Sequence, residues 1–379
     1  MTSTVDPIPS TPSGHVTAAV TPRHFHIVAL ETIFTGPLYV TVPAPHTCTF
    51  VQYERTDRSP GSSELATRLR DADIVLMTTI PMRADILAST ATPRLGLLAV
   101  MASGTDTIDL VACAARGIRV LNSPGCNAES VAEHAVALYF ATRRRLMPSM
   151  RPLLRGLWPA KGTLLHTAVQ GPRGAESEAD AWPRGCVQET AVIVGYGGVG
   201  RRVAAMLQAL GMTVLVAGRK GDEAVDQPLP RGRTAFAEAL RVASVLVLCC
   251  PRTPETLGML STAEFAAMKK DALLINVSRG GIVDEDALLA ALRGGEIGGA
   301  GVDVFSTEPA SLENNSLLRA AVDEMDQDDA SRDRRPLNLV VTPHTAWIAS
   351  ATLNNNIRVM QDNIDGFITG NLVAERVRA

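Results

Sequence analysis

Apolar and polar positions alternate along this chain in blocks of two kinds. Short, nearly continuous apolar runs predict buried strands at 24–30, 72–80 and 95–104. The stretch 127–146 carries its apolar residues at helical spacing and predicts a long amphipathic helix. Strands separated by helical or polar stretches indicate an α/β fold.

The alternation becomes regular from residue 190 onward. Six apolar runs predict strands with helices between them, and Ser261 with Glu264 forms a capping box for one helix. The predicted strands are 190–197, 212–218, 244–250, 272–278, 299–305 and 338–344, and the predicted helices are 199–210, 235–243, 263–270 and 284–295. Near-continuous apolar strands are typical of a parallel sheet covered on both faces, and right-handed crossovers then predict a doubly wound sheet.

Composition and charge narrow the class of protein. The chain has 379 residues, of which 46% are apolar and 20% charged, and its net charge is −3. This is a globular composition with enough material for two or three domains. The charge balance predicts no nucleic acid partner, and no apolar run reaches the length of a membrane span. Six cysteines without a CxxC pair and seven scattered histidines predict no metal site and favour a reducing, cytoplasmic location.

Three segments do not fit the alternating pattern. Residues 1–22 are rich in Ser, Thr and Pro and predict a disordered leader. The Gly/Pro-rich stretch 171–185 and the charge-dense stretch 323–335 predict surface insertions whose roles the sequence does not indicate.

A glycine motif, "VGYGGVG", joins the strand at 190–197 to the following helix. In this context Gly195 permits a tight turn, Gly197 lets the backbone approach a pyrophosphate, and Gly200 lets helix and strand pack closely. The phosphates would lie at the helix N-terminus, which is positively polarised. The motif therefore predicts a dinucleotide site rather than a purely structural turn.

Charged residues follow three of the later strands. Arg279 comes after "INVS", Glu308 after "GVDVF" and His344 after "LVVTP". The carboxyl ends of parallel strands form one edge of the sheet, which is where open α/β sheets bind ligands. Such a set suits carbonyl reduction: Arg can grip a carboxylate, His can donate a proton, and Glu can orient the imidazole and stabilise its charged form.

These motifs, in this order, resemble the D-2-hydroxyacid dehydrogenase family, the D-isomer-specific enzymes that include glyoxylate/hydroxypyruvate reductases and phosphoglycerate dehydrogenases. The resemblance covers residues 24–375 and includes "SGTDTIDLVACAARGIRVLNSPGCNAESVAEHA" at 103–135 and "CCPRTPET" at 249–256. It implies two Rossmann-like domains with doubly wound parallel sheets, an active site in the interdomain cleft, and a homodimer. The substrate domain would comprise 23–127 plus 346–379, and the dinucleotide-binding domain 128–345.

The resemblance also implies roles for single residues. Arg279 resembles the arginine that binds the substrate carboxylate, Glu308 the acidic partner of the histidine, and His344 the general acid/base. Asp303 resembles the aspartate near the nicotinamide, and Ser103 and Gly104 lie where backbone amides meet the substrate. The remaining cofactor-binding residues that it implies are Gly195, Tyr196, Gly197, Gly198, Val199, Gly200, Pro251 and Thr256.

Two aromatic side chains near these motifs have less definite roles. Trp347 resembles a residue that walls the pocket in reductases of small 2-oxo acids, but ordinary core packing is equally compatible with its position. His134, on the predicted 127–146 helix, is expected to be a packed or capping histidine rather than a catalyst.

The strand at 212–218 ends in Gly218, followed by Arg219 and Lys220. In NAD-binding folds an acid commonly stands at this strand end, where it binds the ribose diol and repels a 2′-phosphate. Gly218 removes both effects and is expected to leave room. Arg219 and Lys220 can bind a phosphate through charge-assisted hydrogen bonds. The stretch therefore predicts NADP(H) in preference to NAD(H), unless both cations merely point to solvent.

The sequence thus predicts an NAD(P)H-dependent reductase of a small 2-oxo acid such as glyoxylate or hydroxypyruvate. An alternative is a dinucleotide-sensing, partner-binding relative of the corepressor type with little turnover. A formate dehydrogenase is disfavoured, because that branch lacks the acid that Glu308 supplies.

Overall fold

The computed structural model describes residues 21–59, 62–88, 90–164, 182–222, 229–326 and 336–378. Its α/β fold divides into two compact units, one formed by 1–124 with 356–379 and the other by 125–355. Of the predicted leader and insertions, 1–20, 171–181 and 327–335 lie outside the described residues. Residues 323–326 form the end of a helix.

The first unit is built on a five-stranded parallel sheet with strand order β2-β1-β3-β4-β5. The strands are β1 His24–Ala29, β2 Thr47–Gln52, β3 Ile74–Met77, β4 Leu97–Val100 and β5 Arg119–Leu121, and two short helices are α1 Glu64–Leu69 and α2 Leu110–Ala115. Strands β3 and β4 are buried at every position, as their continuous apolar runs predict. Strand β2 lies at the edge and alternates between half-buried and exposed residues, so it lacks that signal.

The second unit contains a six-stranded parallel sheet with strand order β11-β10-β9-β8-β6-β7. Its strands are β6 Thr190–Val194, β7 Thr213–Val216, β8 Val245–Leu248, β9 Leu273–Asn276, β10 Gly299–Val302 and β11 Leu339–Val341. The chain leaves β6 for β7 on one side and then crosses to β8 on the other. This reversal creates a crevice at the carboxyl end of β6, and the predicted doubly wound sheet is confirmed.

Helices cover both faces of this second sheet. They are α3 Ala128–Arg143, α4 Leu146–Leu154, α5 Leu157–Lys161, α6 Gly198–Ala209, α7 Phe236–Val242, α8 Thr262–Ala267, α9 Glu285–Gly294 and α10 Ser316–Asp326. Val131, Ala135 and Leu138 of α3 pack with buried residues of β6, β8 and β9. Before α8, the Glu264 carboxylate accepts the Ser261 amide hydrogen at 3.0 Å, as the capping pattern predicts.

The last helix, α11 Ser350–Thr369, completes the first unit with its residues from 356 onward. Met360 and Ile364 bury themselves against apolar side chains of β1, β3 and β4, while Leu65 and Leu69 of α1 belong to the core on the other face. This sheet is therefore also covered on both faces. None of the helices in the described part of the chain combines the length and apolar character that a membrane span requires.

Candidate active site

The turn between β6 and α6 has no space for side chains at two of its three motif glycines. Gly195 has φ +91°, and a Cβ atom there would lie 2.5 Å from the amide nitrogen of Cys250. A Cβ atom at Gly200 would lie 2.0 Å from the carbonyl oxygen of Gly195. At Gly197, by contrast, a Cβ atom would meet nothing within 4 Å. The first and third glycines thus form a tight turn, and the second exposes backbone to open space that a pyrophosphate fits.

Helix α6 begins at Gly198, directly after this turn. The first amides of a helix have no intrahelical acceptor, so those of Gly198, Val199 and Gly200 are available to an anion, which the helix dipole also favours. The residues of the glycine motif therefore fit the diphosphate of a dinucleotide.

The end of β7 differs from the expectation in two respects. The space beside Gly218 is not open, because a Cβ atom there would lie 3.0 Å from Leu229 Cδ2. Lys220 is already paired: its Nζ lies 2.8 Å from Glu264 Oε1 and 2.9 Å from the carbonyl oxygen of Met259. Glu264 therefore neutralises Lys220, and the phosphate role predicted for this lysine is not supported. Arg219 is exposed.

Two further arginines approach this site that the sequence did not single out. The guanidinium carbons of Arg201 and Arg233 lie 5.7 and 5.4 Å from the centre of the Tyr196 ring, within cation–π range. Arg233 Nη1 also donates to the carbonyl oxygen of Ala217, at the end of β7 (3.2 Å). Among the residues that the structure describes, neither arginine forms an ion pair with a carboxylate. Arg233 escapes sequence reasoning because a long connection separates it from β7.

The loop after β8 closes on itself through predicted cofactor residues. The Thr256 hydroxyl donates to the carbonyl oxygen of Pro251 at 2.9 Å and accepts from the amide of Thr253 at 2.7 Å. Just before the loop, burial raises the pKa of Cys249 to about 12 and that of Cys250 to about 11. Both thiols therefore remain protonated, and this edge of the site is apolar.

Arg279 lies on a tight turn after β9. Asn276 shapes the turn, because its side chain accepts from the amide and hydroxyl of Ser278 and donates to the Arg279 carbonyl oxygen. A Cβ atom at Gly280 would lie 1.7 Å from the carbonyl oxygen of Phe305. The turn that carries Arg279 therefore packs directly against the segment that leads from β10 to Glu308.

Glu308 and His344 are in contact. His344 Nδ1 lies 2.7 Å from Glu308 Oε2, and both side chains are partly exposed. Partial burial acts to raise the pKa of Glu308, but the hydrogen bond and charge of His344, the Phe305 amide and the Arg279 charge outweigh it. The pKa of Glu308 therefore lies below its ordinary value, and the group is an anion at neutral pH.

Asp303 is 1% exposed, at the end of β10. Its carboxylate accepts hydrogen bonds from the Thr342 hydroxyl and from the amides of Thr345 and Ala346, on either side of His344. In this structure Asp303 thus organises the turn that presents His344.

The remaining predicted residues lie in different units. Ser103 and Gly104 follow β4 in the first unit. There the Ser103 hydroxyl donates to the Ser123 carbonyl oxygen, and the side-chain amide of Asn122 donates to the Ser103 carbonyl oxygen. Trp347 lies in the second unit, where it is half-buried against the core under α3. Within the described residues, no group of three or more His, Cys, Asp or Glu side chains could hold a metal ion.

Comparisons with known proteins agree with this geometry. The family model described as D-isomer specific 2-hydroxyacid dehydrogenase, NAD binding domain, matches residues 163–346. Glycerate dehydrogenase of Methylorubrum extorquens is 34% identical over 319 residues, which are 84% of this chain and 90% of that protein. Glyoxylate reductase of Thermococcus kodakarensis is 34% identical over 260 residues, 68% of this chain and 74% of that protein. The D-lactate dehydrogenase structure from Aquifex aeolicus, with NAD and lactic acid, has a TM-score of 0.62 at 25% identity and covers 87% of this chain and 92% of that one.

Proposed function

Because this chain belongs to the D-isomer-specific 2-hydroxyacid dehydrogenase family, we propose that it reduces a small 2-oxo acid, such as glyoxylate or hydroxypyruvate, to the D-2-hydroxy acid. Family membership makes the chain an NAD(P)-dependent oxidoreductase. The observation that carries the proposed reaction is the 2.7 Å contact between His344 and Glu308, in the same unit as the glycine turn.

The hydrogen-bonding of His344 assigns its two ring nitrogens. Glu308 is an anion and can only accept, so Nδ1 carries a hydrogen toward it. This leaves Nε2 as the atom that exchanges a proton with the substrate oxygen. When bound, reduced nicotinamide dinucleotide supplies the hydride. As the substrate oxygen gains negative charge, protonated His344 donates a proton to it from Nε2. Before this transfer, Glu308 stabilises the positive charge of the imidazole.

Arg279 is proposed to bind the substrate carboxylate. A guanidinium can form two parallel hydrogen bonds with a carboxylate, which fixes the orientation of the adjoining carbonyl group. Its Nη1 already donates to the Ser278 carbonyl oxygen at 2.8 Å, which directs the side chain. Ser103 and Gly104 are proposed to contribute backbone amides to the same carboxylate, and Trp347 to contact the substrate.

The reaction is tested by following NADPH and NADH oxidation with glyoxylate, hydroxypyruvate and bulkier 2-oxo acids. We expect turnover with a small 2-oxo acid, and loss of a general acid in His344→Ala should lower kcat by about 10²–10⁴-fold. His46→Ala is a matched control, because His46 precedes β2 in the first unit, whereas His344 and Glu308 belong to the second. Tight dinucleotide binding without turnover of any 2-oxo acid would refute the proposal and favour the partner-binding alternative.

We further propose that NADPH is preferred over NADH. The support is the missing acid at Gly218, the exposed cation of Arg219 and the nearby guanidinium of Arg233. A phosphate bound by one well-placed cation gains about 1.5–3 kcal/mol, or roughly tenfold or more in affinity. Arg219→Ala should therefore weaken NADPH without weakening NADH. Gly218→Asp should shift preference toward NADH, although the new side chain must displace Leu229. Higher kcat/KM with NADH than with NADPH in the wild type would contradict this preference.

A homodimer in the cytoplasm is the proposed form of the enzyme. A groove of about 410 Å³ between α4 and α10 is lined mainly by apolar side chains, including Met147, Leu318 and Met325. Leu153 and Leu154, also on α4, are exposed, which is unfavourable unless another surface covers them. Light scattering of the purified protein should give twice the chain mass, and Leu154→Glu should lower that mass. A monomeric wild type would contradict the dimer.

A further inference from the structure

His344 has a backbone conformation that a histidine rarely adopts. Its φ is +54°, in the left-handed region that favours glycine. A side chain is kept in such a conformation only when the surrounding structure holds it there. The proposed acid/base therefore depends on the groups that fix the turn 342–346.

Asp303 binds this turn on both sides of His344. Its backbone carbonyl oxygen accepts from the His344 amide at 2.8 Å. Its carboxylate accepts from the amides of Thr345 at 2.9 Å and Ala346 at 3.0 Å, and from the Thr342 hydroxyl at 2.6 Å. The orientation of this one buried carboxylate thus determines the path of the chain through His344.

A third group, His134 of α3, reaches the same cluster. Its Nε2 lies 2.9 Å from Thr342 Oγ1 and 3.6 Å from the nearer carboxylate oxygen of Asp303. The Thr342 hydroxyl has one hydrogen, which it donates to the Asp303 carboxylate, so its oxygen accepts from His134. The hydrogen bonds run in one direction, from His134 Nε2–H to the Thr342 hydroxyl and from that hydroxyl to Asp303.

We infer that His134 is a positioning residue, which holds His344 in its working orientation through Thr342 and Asp303. This role goes beyond the packed or capping role expected for His134, since its ring nitrogen begins a chain of hydrogen bonds that leads to the turn. The inference rests on the proposed function, in which His344 exchanges the proton. It assigns His134 no contact with the substrate.

The test compares variants that remove or restore the donor. His134→Phe keeps a ring of similar size without a donor, and His134→Gln offers an amide N–H. Removing one neutral hydrogen bond should lower kcat by about three- to tenfold in His134→Phe. KM, dinucleotide affinity and Tm should change little, and His134→Gln should recover most of the activity. Glu133→Gln is the matched control, because Glu133 is the exposed neighbour on α3.

Thr342→Val removes both the hydrogen bond from His134 and the hydrogen bond to Asp303, so it should lower kcat at least as much as His134→Phe. Because both changes break one path, the double variant should be no slower than the slower single variant. An unchanged kcat in a folded His134→Phe protein, or losses that multiply in the double variant, would overturn the inference.

A second readout separates this inference from the proposed reaction. Amide hydrogen exchange of the peptide that spans residues 339–349 should accelerate several-fold in His134→Phe, because the acceptor of the Thr345 and Ala346 amides is less firmly held. This expectation holds whichever substrate the enzyme takes. Unchanged exchange would refute the positioning role, whereas faster exchange without any turnover in the wild type would refute only the proposed function.

Discussion

The packing of Gly280 allows a sharp test of how the site is assembled. A Cβ atom at this position would lie 1.7 Å from the carbonyl oxygen of Phe305, 2.0 Å from its carbon and 2.5 Å from the amide nitrogen of Ser306. All three atoms belong to the backbone, so no side chain can rotate away. Gly280→Ala must therefore push the turn of Arg279 away from the segment that leads to Glu308.

The size of that displacement follows from the distances. Ordinary contact begins at 3.4 Å, so the gap between residue 280 and Phe305 must open by about 1.7 Å, the difference between the two values. A misplacement of about 1 Å can cost roughly 10²-fold in rate, so kcat/KM for the 2-oxo acid should fall by at least that factor. Overpacking costs about 1–3 kcal/mol, which corresponds to a Tm lower by roughly 2–12 °C for a unit of this size.

The assay combines steady-state kinetics, dinucleotide titration and thermal unfolding. Dinucleotide affinity should change less than kcat/KM, because the glycine turn after β6 is not displaced. Gly294→Ala is the control: Gly294 is the last residue of α9, and its nearest neighbour would lie 3.8 Å from the new Cβ atom. We expect that variant to keep its activity and Tm. Wild-type kcat/KM and Tm in Gly280→Ala would refute this account of how Arg279 and Glu308 are brought together.

Three further predictions concern charge and burial. Glu308→Gln should lower the Tm at about pH 7, and by less as the pH falls below about 4.5. The folded state lowers the pKa of Glu308, so the ionised carboxylate stabilises the fold above its unfolded-state pKa, and this stabilisation is lost as the pH falls through its folded-state pKa. An equal loss of Tm at acid pH would contradict this prediction. Arg233→Ala should raise the KM for NADPH by about tenfold with little effect on NADH, and exposed Arg231→Ala is its control. Cys113, Cys249 and Cys250, whose pKa values burial raises to about 11, about 12 and about 11, should be alkylated after the other three cysteines in the native protein, as peptide mass spectrometry can show.

The strands that the sequence predicts are those with a continuous apolar run, which are central strands buried on both faces, such as β3, β4, β8 and β9, together with the partly buried edge strands β7 and β11. Every strand of the second unit is a continuous apolar run, so its position could be predicted without knowledge of its neighbours. Strand β2 has only one covered face, and its "TCTFVQ" alternates with polar residues, so it gives no such run. Strand β5 has three residues, too few for a period to be recognised.

The predicted strands also extend too far at their carboxyl ends, and β10 shows a physical reason. The run 299–305 continues through Val304 and Phe305, which are buried, yet strand pairing ends at Val302. An apolar run in the sequence marks residues that are buried in the core, whereas a strand ends at the last residue that pairs with a neighbouring strand. After Val302 the chain remains buried but no longer pairs with a neighbouring strand, so it can change direction. The segment 303–307 thereby brings Glu308 toward His344.

Two basic residues near the end of β7 could not be interpreted from the sequence, because their surroundings depend on contacts between distant parts of the chain. Lys220 reads as a free cation because its partner, Glu264, lies on α8, far along the chain. Arg233 escapes notice for the converse reason, since a bridge between Ala217 and Thr234 brings it back to the end of β7. Residue spacing in the sequence locates the end of a strand, but it cannot show which charged side chains at that end already form ion pairs.

The conformation of His344 lies beyond sequence reasoning for a different reason. A left-handed histidine costs about 1–3 kcal/mol, so local preference opposes it, and "TPHTAW" contains nothing that requires it. It persists because the carboxylate of Asp303, buried at the end of β10, accepts from the Thr342 hydroxyl before His344 and from the Thr345 and Ala346 amides after it. A residue held against its own preference by a buried carboxylate is expected at a site where orientation matters more than stability. This cost means that the proposed proton transfer depends on the groups that hold the turn, including His134, although each of them contributes less to the rate than the imidazole itself.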